Sequence, residues 1–194
     1  SIGIAQYRDW LLHKHYAKRI PAVSHPFGLY DGSTLIGVCT FGHSVMMEVG
    51  PDYLAANCIL VWGANPLASH GPRGRDILEA KKRGAKLIVV DPRLIPLARQ
   101  ADLWLQVRPG TDAALALGII HILIEEELYD KDFVRNWCHG FEQLKERAKP
   151  YTPEKVAEIT WVPAEKIRAA ARMYATNKPA ATHHRAALEH NINS

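Results

Sequence analysis

The sequence is poor in the features that define several classes of protein. Its 194 residues include three cysteines, Cys39, Cys58 and Cys138, which are odd in number and form no CxxC pair. We therefore expect neither a disulfide framework nor a cysteine-based metal or cluster motif within this chain. The formal net charge of +4 suits an anionic ligand but is too small to indicate a nucleic-acid partner. The longest apolar run, residues 113–124, is too short to span a bilayer, so direct membrane insertion is not expected.

Targeting information is also lacking. The chain does not begin with methionine, and no signal peptide is apparent. We therefore expect a piece of a longer protein, and both a cytoplasmic and a periplasmic location stay open.

The stretch from residue 58 to residue 91 predicts a strand, a loop, a helix and a second strand. Residues 58–62 and 85–90 are short apolar runs, as is typical of strands buried on both faces of a parallel sheet. Residues 73–83 between them have helical character, and Gly84 is a stop signal. Such a βαβ unit binds ligands at the carboxyl ends of its strands. The GxGxxG fingerprint is absent, which argues against a nicotinamide cofactor.

The remaining sequence extends this pattern. Residues 101–107 alternate between apolar and polar side chains and predict a short strand, and residues 113–126 predict a buried helix. Short helices are predicted from residue 129 onward. The expected fold is an α/β domain with a parallel, Rossmann-like sheet, helices on both faces and a helical C-terminal part.

The expected domain occupies residues 58–194. Residues 1–57 lead into it as a helix at 4–16 followed by an irregular segment at 23–51. Residues 178–181 could begin another strand, but residues 182–185, Thr-His-His-Arg, are too polar to predict a buried strand.

Three loops, 63–70, 91–93 and 108–112, follow predicted strands and could together bind a nucleotide. A loop that opens a helix binds phosphate through its backbone N–H groups and the helix dipole. Asp91 could accept hydrogen bonds from ribose hydroxyls, but an aspartate before proline is also an ordinary turn former. Asp112 could accept two hydrogen bonds from a guanine, or it could cap the helix that follows.

Four sequence blocks appear in a characteristic order and spacing. They are ILVWGANP at 59–66 with Ser69 and His70, GAKLIVVDPR at 84–93, RPGTDAAL at 108–115, and the segment 151–167. Residues 58–179 resemble the molybdopterin oxidoreductase family, the dimethyl-sulfoxide-reductase-like enzymes. The sequence departs from the family pattern at Trp161, where a glycine is usual, and at 182–185, where the family has an apolar, glycine-containing strand.

The resemblance implies a large catalytic subunit of which this chain is a fragment. The parent would be a molybdenum- or tungsten-dependent oxidoreductase that carries out two-electron chemistry on a small-molecule substrate, and this fragment alone would be inactive. The cofactor implied is bis(molybdopterin guanine dinucleotide), one half of which would bind here. Family members are several times longer and usually carry an N-terminal cysteine cluster for a [4Fe–4S] centre, which we expect outside this chain. An iron–sulfur electron-transfer subunit is one partner that the resemblance allows.

The resemblance also implies which residues bind the cofactor. The loop from residue 62 to residue 69 would contact the phosphates and the pterin side, residues 91–93 the guanosine ribose, and residues 110–112 the guanine. The implied cofactor-binding residues are Trp62, Gly63, Ala64, Asn65, Pro66, Ser69, His70, Val90, Asp91, Pro92, Arg93, Pro109, Gly110, Thr111 and Asp112.

Cys39 is the candidate metal ligand and catalytic residue. The segment 36–43 resembles the family segment in which a cysteine, selenocysteine, serine or aspartate ligates the metal, and a deprotonated thiolate is a suitable ligand for molybdenum or tungsten. On residue type alone, Cys39 could instead be a small core residue. His43 could lie on the substrate side or pack within its loop.

Two other functions stay open. The chain could be a nucleotide-binding module without catalysis of its own, or a part of a non-redox relative, such as a hydratase, that uses the same cofactor.

Overall fold

The structure is a computed structural model that describes residues 25–31, 34–41 and 51–189. The chain divides into two compact units, residues 1–50 and 51–194. Residues 51–57 thus belong to the second unit, and the boundary predicted at residues 57 and 58 stays a prediction. The predicted helix at 4–16 and His43 lie outside the described residues.

The first unit contains an antiparallel hairpin. Strand β1, His25–Asp31, pairs with β2, Thr34–Phe41, with an irregularity in register between Leu29 and Tyr30. The expectation of an irregular segment was wrong for these residues. That expectation rests on the abundance of Gly, Ser and His in the segment, whereas Asp-Gly between two runs rich in aromatic and β-branched residues is a hairpin signal. The backbone of Cys39 lies in β2, opposite Phe27.

The second unit is built on a four-stranded, wholly parallel sheet with the order β5–β4–β3–β6. Its strands are β3, Cys58–Trp62; β4, Lys86–Val90; β5, Leu103–Leu105; and β6, Ala180–His184. Trp62 pairs with both Val90 and His184, and Val90 pairs with Leu105. The four strands therefore end at the same edge of the sheet.

Helices cover the sheet on both faces, which confirms the predicted fold class. They are α1, Pro66–Ser69; α2, Gly71–Lys82; α3, Asp112–Glu125; α4, Lys131–Trp137; α5, Phe141–Ala148; α6, Pro153–Thr160; α7, Ala164–Thr176; and α8, Ala186–Glu189, with a 3₁₀ turn at Ala98–Gln100. In the part of the chain that the structure describes, none of the helices has the length and apolar character needed to cross a membrane.

Alternate residues of the central strands enter two hydrophobic cores. On one face, Ile59 and Val61 pack with Ile77 of α2. On the other face, Leu60 packs with Leu115 of α3, and residues of α6 and α7 complete that core. Side chains in a strand alternate between faces, so an uninterrupted apolar run is what a sheet covered on both sides requires.

Strand β6 is the second departure from the sequence prediction. The polar segment after Ala181 forms an edge strand beside β3, because its side chains have buried partners. His183 is only 3% exposed, and its Nδ1 lies 2.6 Å from the Tyr53 hydroxyl. The Thr182 hydroxyl lies 2.9 Å from that of Tyr174. Buried polar groups are tolerated when they are hydrogen-bonded, and here Tyr53 from a distant segment and Tyr174 from the preceding helix provide the partners.

Candidate cofactor-binding site

The three predicted loops converge at the carboxyl edge of the sheet. The strand register brings the ends of β3, β4 and β5 side by side, so the segments 63–70, 91–93 and 106–112 leave the same edge. Residues 185–189, after β6, are a fourth segment at this edge. Ligands of open parallel α/β sheets bind at this position.

Gly63 shapes the turn after β3. Its φ of +58° lies in the left-handed region, and its N–H donates to the Val90 carbonyl at 2.9 Å. A Cβ atom at this position would lie 2.9 Å from Cβ of Ala187. Both the backbone conformation and the close approach of α8 therefore require glycine here.

Asn65 carries the polar group of this loop that lacks a partner. Its carbonyl accepts the N–H groups of Ala68 and Ser69 at 3.0 Å, which forms the first turn of α1. Its side-chain Oδ1 is buried and accepts no hydrogen bond from the described residues. A buried acceptor left in this state is costly, so a bound group that donates a hydrogen bond would stabilise the loop.

A basic group of side chains stands beside this loop. Nη2 of Arg185 lies 3.0 Å from Nε2 and 3.1 Å from Nδ1 of His70, and no ion pair joins Arg185 to a carboxylate of the described residues. His70 precedes α2, which has no acidic residue in its first turn. The sequence analysis included His70 but missed Arg185, because only the pairing of β6 with β3 brings the two together.

Asp91 adopts the turn conformation that was one of its two interpretations. It is 4% exposed, and its Oδ1 accepts the N–H of Arg93 at 2.8 Å. Its backbone carbonyl accepts the indole N–H of Trp104 at 2.9 Å. A carboxylate has about four acceptor positions, so this turn leaves room for the ribose role, which stays a prediction.

Asp112 is the first residue of α3. Its Oδ1 accepts the indole N–H of Trp62 at 2.7 Å. Thr111 occupies the N-cap position without a side-chain cap, because its hydroxyl donates instead to the Arg108 carbonyl at 2.7 Å. Gly110, with φ +85°, allows the chain to turn just before the helix. The carboxylate of Asp112 is thus held against the end of β3.

Trp62 and Asp112 line a common pocket of about 200 Å³. Its other walls come from Ala113, Ala116 and Leu188. The pocket is almost wholly apolar and is bordered by Asp112, which suits a flat aromatic ring.

Arg108 and Trp161 account for one departure from the family pattern. Trp161 ends α6 with a φ of +64°, in the left-handed region where glycine is the ordinary residue. Its ring is largely exposed, and the Arg108 guanidinium lies over it, 5.3 Å from the ring centre. The cation–π contact provides a physical reason for an aromatic residue here.

Cys58 and the buried His183 are poor candidates for metal ligands. Burial raises the pKa of the Cys58 thiol to about 11, so this side chain is a protonated core residue. Burial, with the positive charges of Arg185 and Arg73, lowers the pKa of His183 to about 4. Within residues 51–189 and the two described strands of the first unit, no three His, Cys, Asp or Glu residues are grouped as a metal site requires.

Comparison with known proteins identifies the family. A family model described as molybdopterin oxidoreductase matches residues 11–187. The chain belongs to the molybdopterin oxidoreductase family. This confirms the resemblance seen in the sequence and the association with a molybdopterin cofactor that contains molybdenum or tungsten.

Two kinds of relative are similar to this chain in sequence. Acetylene hydratase of Syntrophotalea acetylenica is 53% identical over 131 residues, which are 66% of this chain and 18% of that protein. Formate dehydrogenase H of Escherichia coli is 46% identical over 140 residues, 72% of this chain and 20% of that protein. The alpha subunit of F420-dependent formate dehydrogenase 1 of Methanococcus maripaludis is 39% identical over 153 residues, which are 78% of this chain and 23% of that protein.

A solved structure, acetylene hydratase from Pelobacter acetylenicus, is similar with a TM-score of 0.67 and 49% identity. The match covers 71% of this chain and 19% of that one. The chain thus spans about a fifth of the length of the relatives that it matches.

Proposed function

We propose that this chain contributes the guanosine-binding part of a molybdenum- or tungsten-dependent oxidoreductase. It would hold one half of a bis(molybdopterin guanine dinucleotide) cofactor at the carboxyl edge of its sheet. The observation that supports this most strongly is that three loops of a family domain, each with chemistry suited to a different part of a nucleotide, converge at that edge. The cofactor, when bound, supplies the two-electron chemistry, while the protein binds and orients it.

The described residues fit such a ligand from its phosphate end to its base. Arg185, in contact with His70, offers positive charge beside the loop after β3. The buried Oδ1 of Asn65 offers an acceptor for an N–H donor of the pterin side. Asp91 would accept from the ribose, and Asp112 would accept from the guanine.

Base recognition is tested by Asp112→Ala. Guanine presents two adjacent donors, N1–H and the exocyclic amine, to one carboxylate, whereas the corresponding edge of adenine presents a donor beside an acceptor. We expect affinity for GDP to fall by about 10- to 100-fold, since a bidentate pair is worth roughly 1–3 kcal/mol, and affinity for ADP to change little. Isothermal titration calorimetry measures both.

Asp132→Ala is the matched control for that substitution. Asp132 lies on α4, and its side chain is 84% exposed. It should leave binding of both nucleotides unchanged. Equal weakening of GDP and ADP by Asp112→Ala would mean that Asp112 serves only the helix end.

The assignment of Cys39 as the metal ligand stays a prediction. Its backbone lies in β2 of the first unit, and its side chain is outside the description. Substitution Cys39→Ala in the full-length protein should abolish the bound metal while guanine dinucleotide is retained. Unchanged metal content would reject the assignment, and Cys138→Ala is the matched control because Cys138 is exposed on the second unit.

The complete enzyme would include elements that this chain does not supply. A [4Fe–4S] cluster takes four cysteine ligands, and the chain has three cysteines in total. We propose that other cysteines of the protein hold such a cluster, that an iron–sulfur subunit exchanges electrons with it, and that the substrate is a small molecule. Iron and acid-labile sulfide in the purified full-length protein would test the cluster.

A second candidate function is hydration without net redox change. It is favoured by one observation, the 53% identity to acetylene hydratase, against 37–46% to formate dehydrogenases. Formate-dependent reduction of a viologen dye would support the oxidoreductase, whereas formation of acetaldehyde from acetylene would support the hydratase. If the protein contains neither pterin nor molybdenum or tungsten, both enzyme proposals fail and a nucleotide-binding module without catalysis becomes the better description.

A further inference from the structure

We infer that Trp62 is a positioning residue for base selection, which acts by fixing the carboxylate of Asp112 through its indole N–H. The inference rests on the proposed guanosine-binding function and assigns the cause of its specificity to a second residue. Trp62 was expected on the phosphate and pterin side, whereas its polar atom faces the residue proposed to bind the base.

The geometry that supports this is a direct, short and partly buried hydrogen bond. Nε1 of Trp62 donates to Oδ1 of Asp112 at 2.7 Å, across 50 residues of sequence. Trp62 is 7% exposed and packs in the core beneath α3, so its ring has little freedom to move. A rigid donor of this kind fixes the plane and the rotamer of the carboxylate before any ligand arrives.

The bond leaves the carboxylate able to bind a base. An indole N–H is a donor only, and an ionised carboxylate has about four acceptor positions, so the single bond from Trp62 does not exhaust them. Asp112 is also the first residue of α3, where the helix dipole favours a negative charge. Selection of guanine requires both oxygens to lie in the plane of the base, because the two donors of the guanine edge are coplanar.

The pocket provides a second, independent reason. Its almost wholly apolar wall is formed by Trp62, two alanines and Leu188, and Asp112 borders it. One side chain thus contributes to the apolar surface of the pocket and aligns the group at its edge. Loss of the N–H with the ring retained should therefore affect selectivity more than general affinity.

The substitution that separates these roles is Trp62→Phe, which keeps an aromatic ring and removes the donor. We expect the preference for GDP over ADP, measured by calorimetry on protein purified without cofactor, to fall by about five- to tenfold, the typical worth of one hydrogen bond. Trp104→Phe is the matched control. Its indole N–H also donates at this edge of the sheet, but to the Asp91 carbonyl, so it should leave the GDP-to-ADP ratio unchanged.

A double variant tests whether Trp62 acts through Asp112. The preference of Trp62→Phe/Asp112→Ala should equal that of Asp112→Ala alone, because the group that Trp62 aligns is then absent. A further loss in the double variant would overturn the inference. The same holds if Trp62→Phe keeps the wild-type preference while Asp112→Ala loses it.

The proposed function and this inference fail in different ways. A wild-type protein with no preference for GDP removes the guanine assignment and the inference with it. If Trp62→Phe does not fold, the indole N–H resonance of Trp62 in the wild type provides the test. It should shift on addition of GDP and stay in place with ADP, and an identical response to both nucleotides contradicts the inference.

Discussion

Protonation of His183 should destabilise the second unit as the pH falls. The imidazole is 3% exposed, and burial, with the charges of Arg185 and Arg73, lowers its pKa from 6.5 to about 4. Between these two pKa values the unfolded chain binds a proton at this histidine that the folded chain does not. The contribution of neutral His183 to the unfolding free energy is therefore fully present above pH 6.5 and is lost as the pH falls towards 4. The loss from this one group should reach about 2 kcal/mol at pH 5 and about 3 kcal/mol at pH 4.

The assay is urea denaturation of the wild type and His183→Gln between pH 7.5 and pH 4. Other groups also titrate in this range, so the informative quantity is the difference in unfolding free energy between the two proteins at each pH. This difference should shrink by about 2 kcal/mol between pH 7.5 and pH 5. The neighbouring His184 is exposed, and His184→Gln is the matched control, with a difference that does not follow this curve. A pH-independent difference for His183→Gln would refute the reasoning, because it would mean that folding leaves the histidine pKa unchanged.

Two further substitutions test which contacts stabilise the second unit. Asp102 accepts the N–H of Leu87 at 2.8 Å, so Asp102→Ala leaves this strand amide without that partner. The substitution should lower the unfolding free energy, measured by urea denaturation, by about 1–3 kcal/mol. A decrease no larger than that of an exposed aspartate variant would contradict this prediction. A Cβ on Gly74 would lie 2.8 Å from Cδ2 and 3.0 Å from the backbone of Leu67, whereas one on Gly71 meets nothing within 4 Å. Gly74→Ala should therefore be less stable than Gly71→Ala by about 1–3 kcal/mol. Equal melting temperatures of the two variants would contradict this, because they would show that Leu67 can shift without cost.

The βαβ unit and the helices that follow could be predicted because local patterns determine them. Apolar runs such as 58–62 require burial on both faces, and the boundaries of α2 and α3 follow from stop signals and apolar periodicity. Thr152 caps α6 by accepting the N–H of Lys155 at 3.3 Å, and threonine before proline is a common helix start. The convergence of the loops also follows from sequence, since parallel strands place their carboxyl ends at one edge.

Contacts between distant segments could not be predicted in this way. The second half of β6 is polar, and the Tyr53 hydroxyl, 130 residues away, provides a hydrogen-bond partner for the buried His183. The hydrogen bond from Trp62 to Asp112 joins the end of β3 to the start of α3, and no periodic pattern in the sequence predicts which carboxylate an indole will contact. Arg185 likewise reaches His70 only because β6 pairs with β3.

The central claim is that this edge of the sheet binds the guanosine end of a molybdopterin dinucleotide. Its most direct test is chemical analysis of the full-length protein purified with its cofactor: acid release of the nucleotide, identification by mass spectrometry, and parallel measurement of pterin fluorescence and metal. The account predicts GMP and pterin in equal amounts, together with molybdenum or tungsten. Pterin released with CMP or AMP, or with no nucleotide, would contradict it.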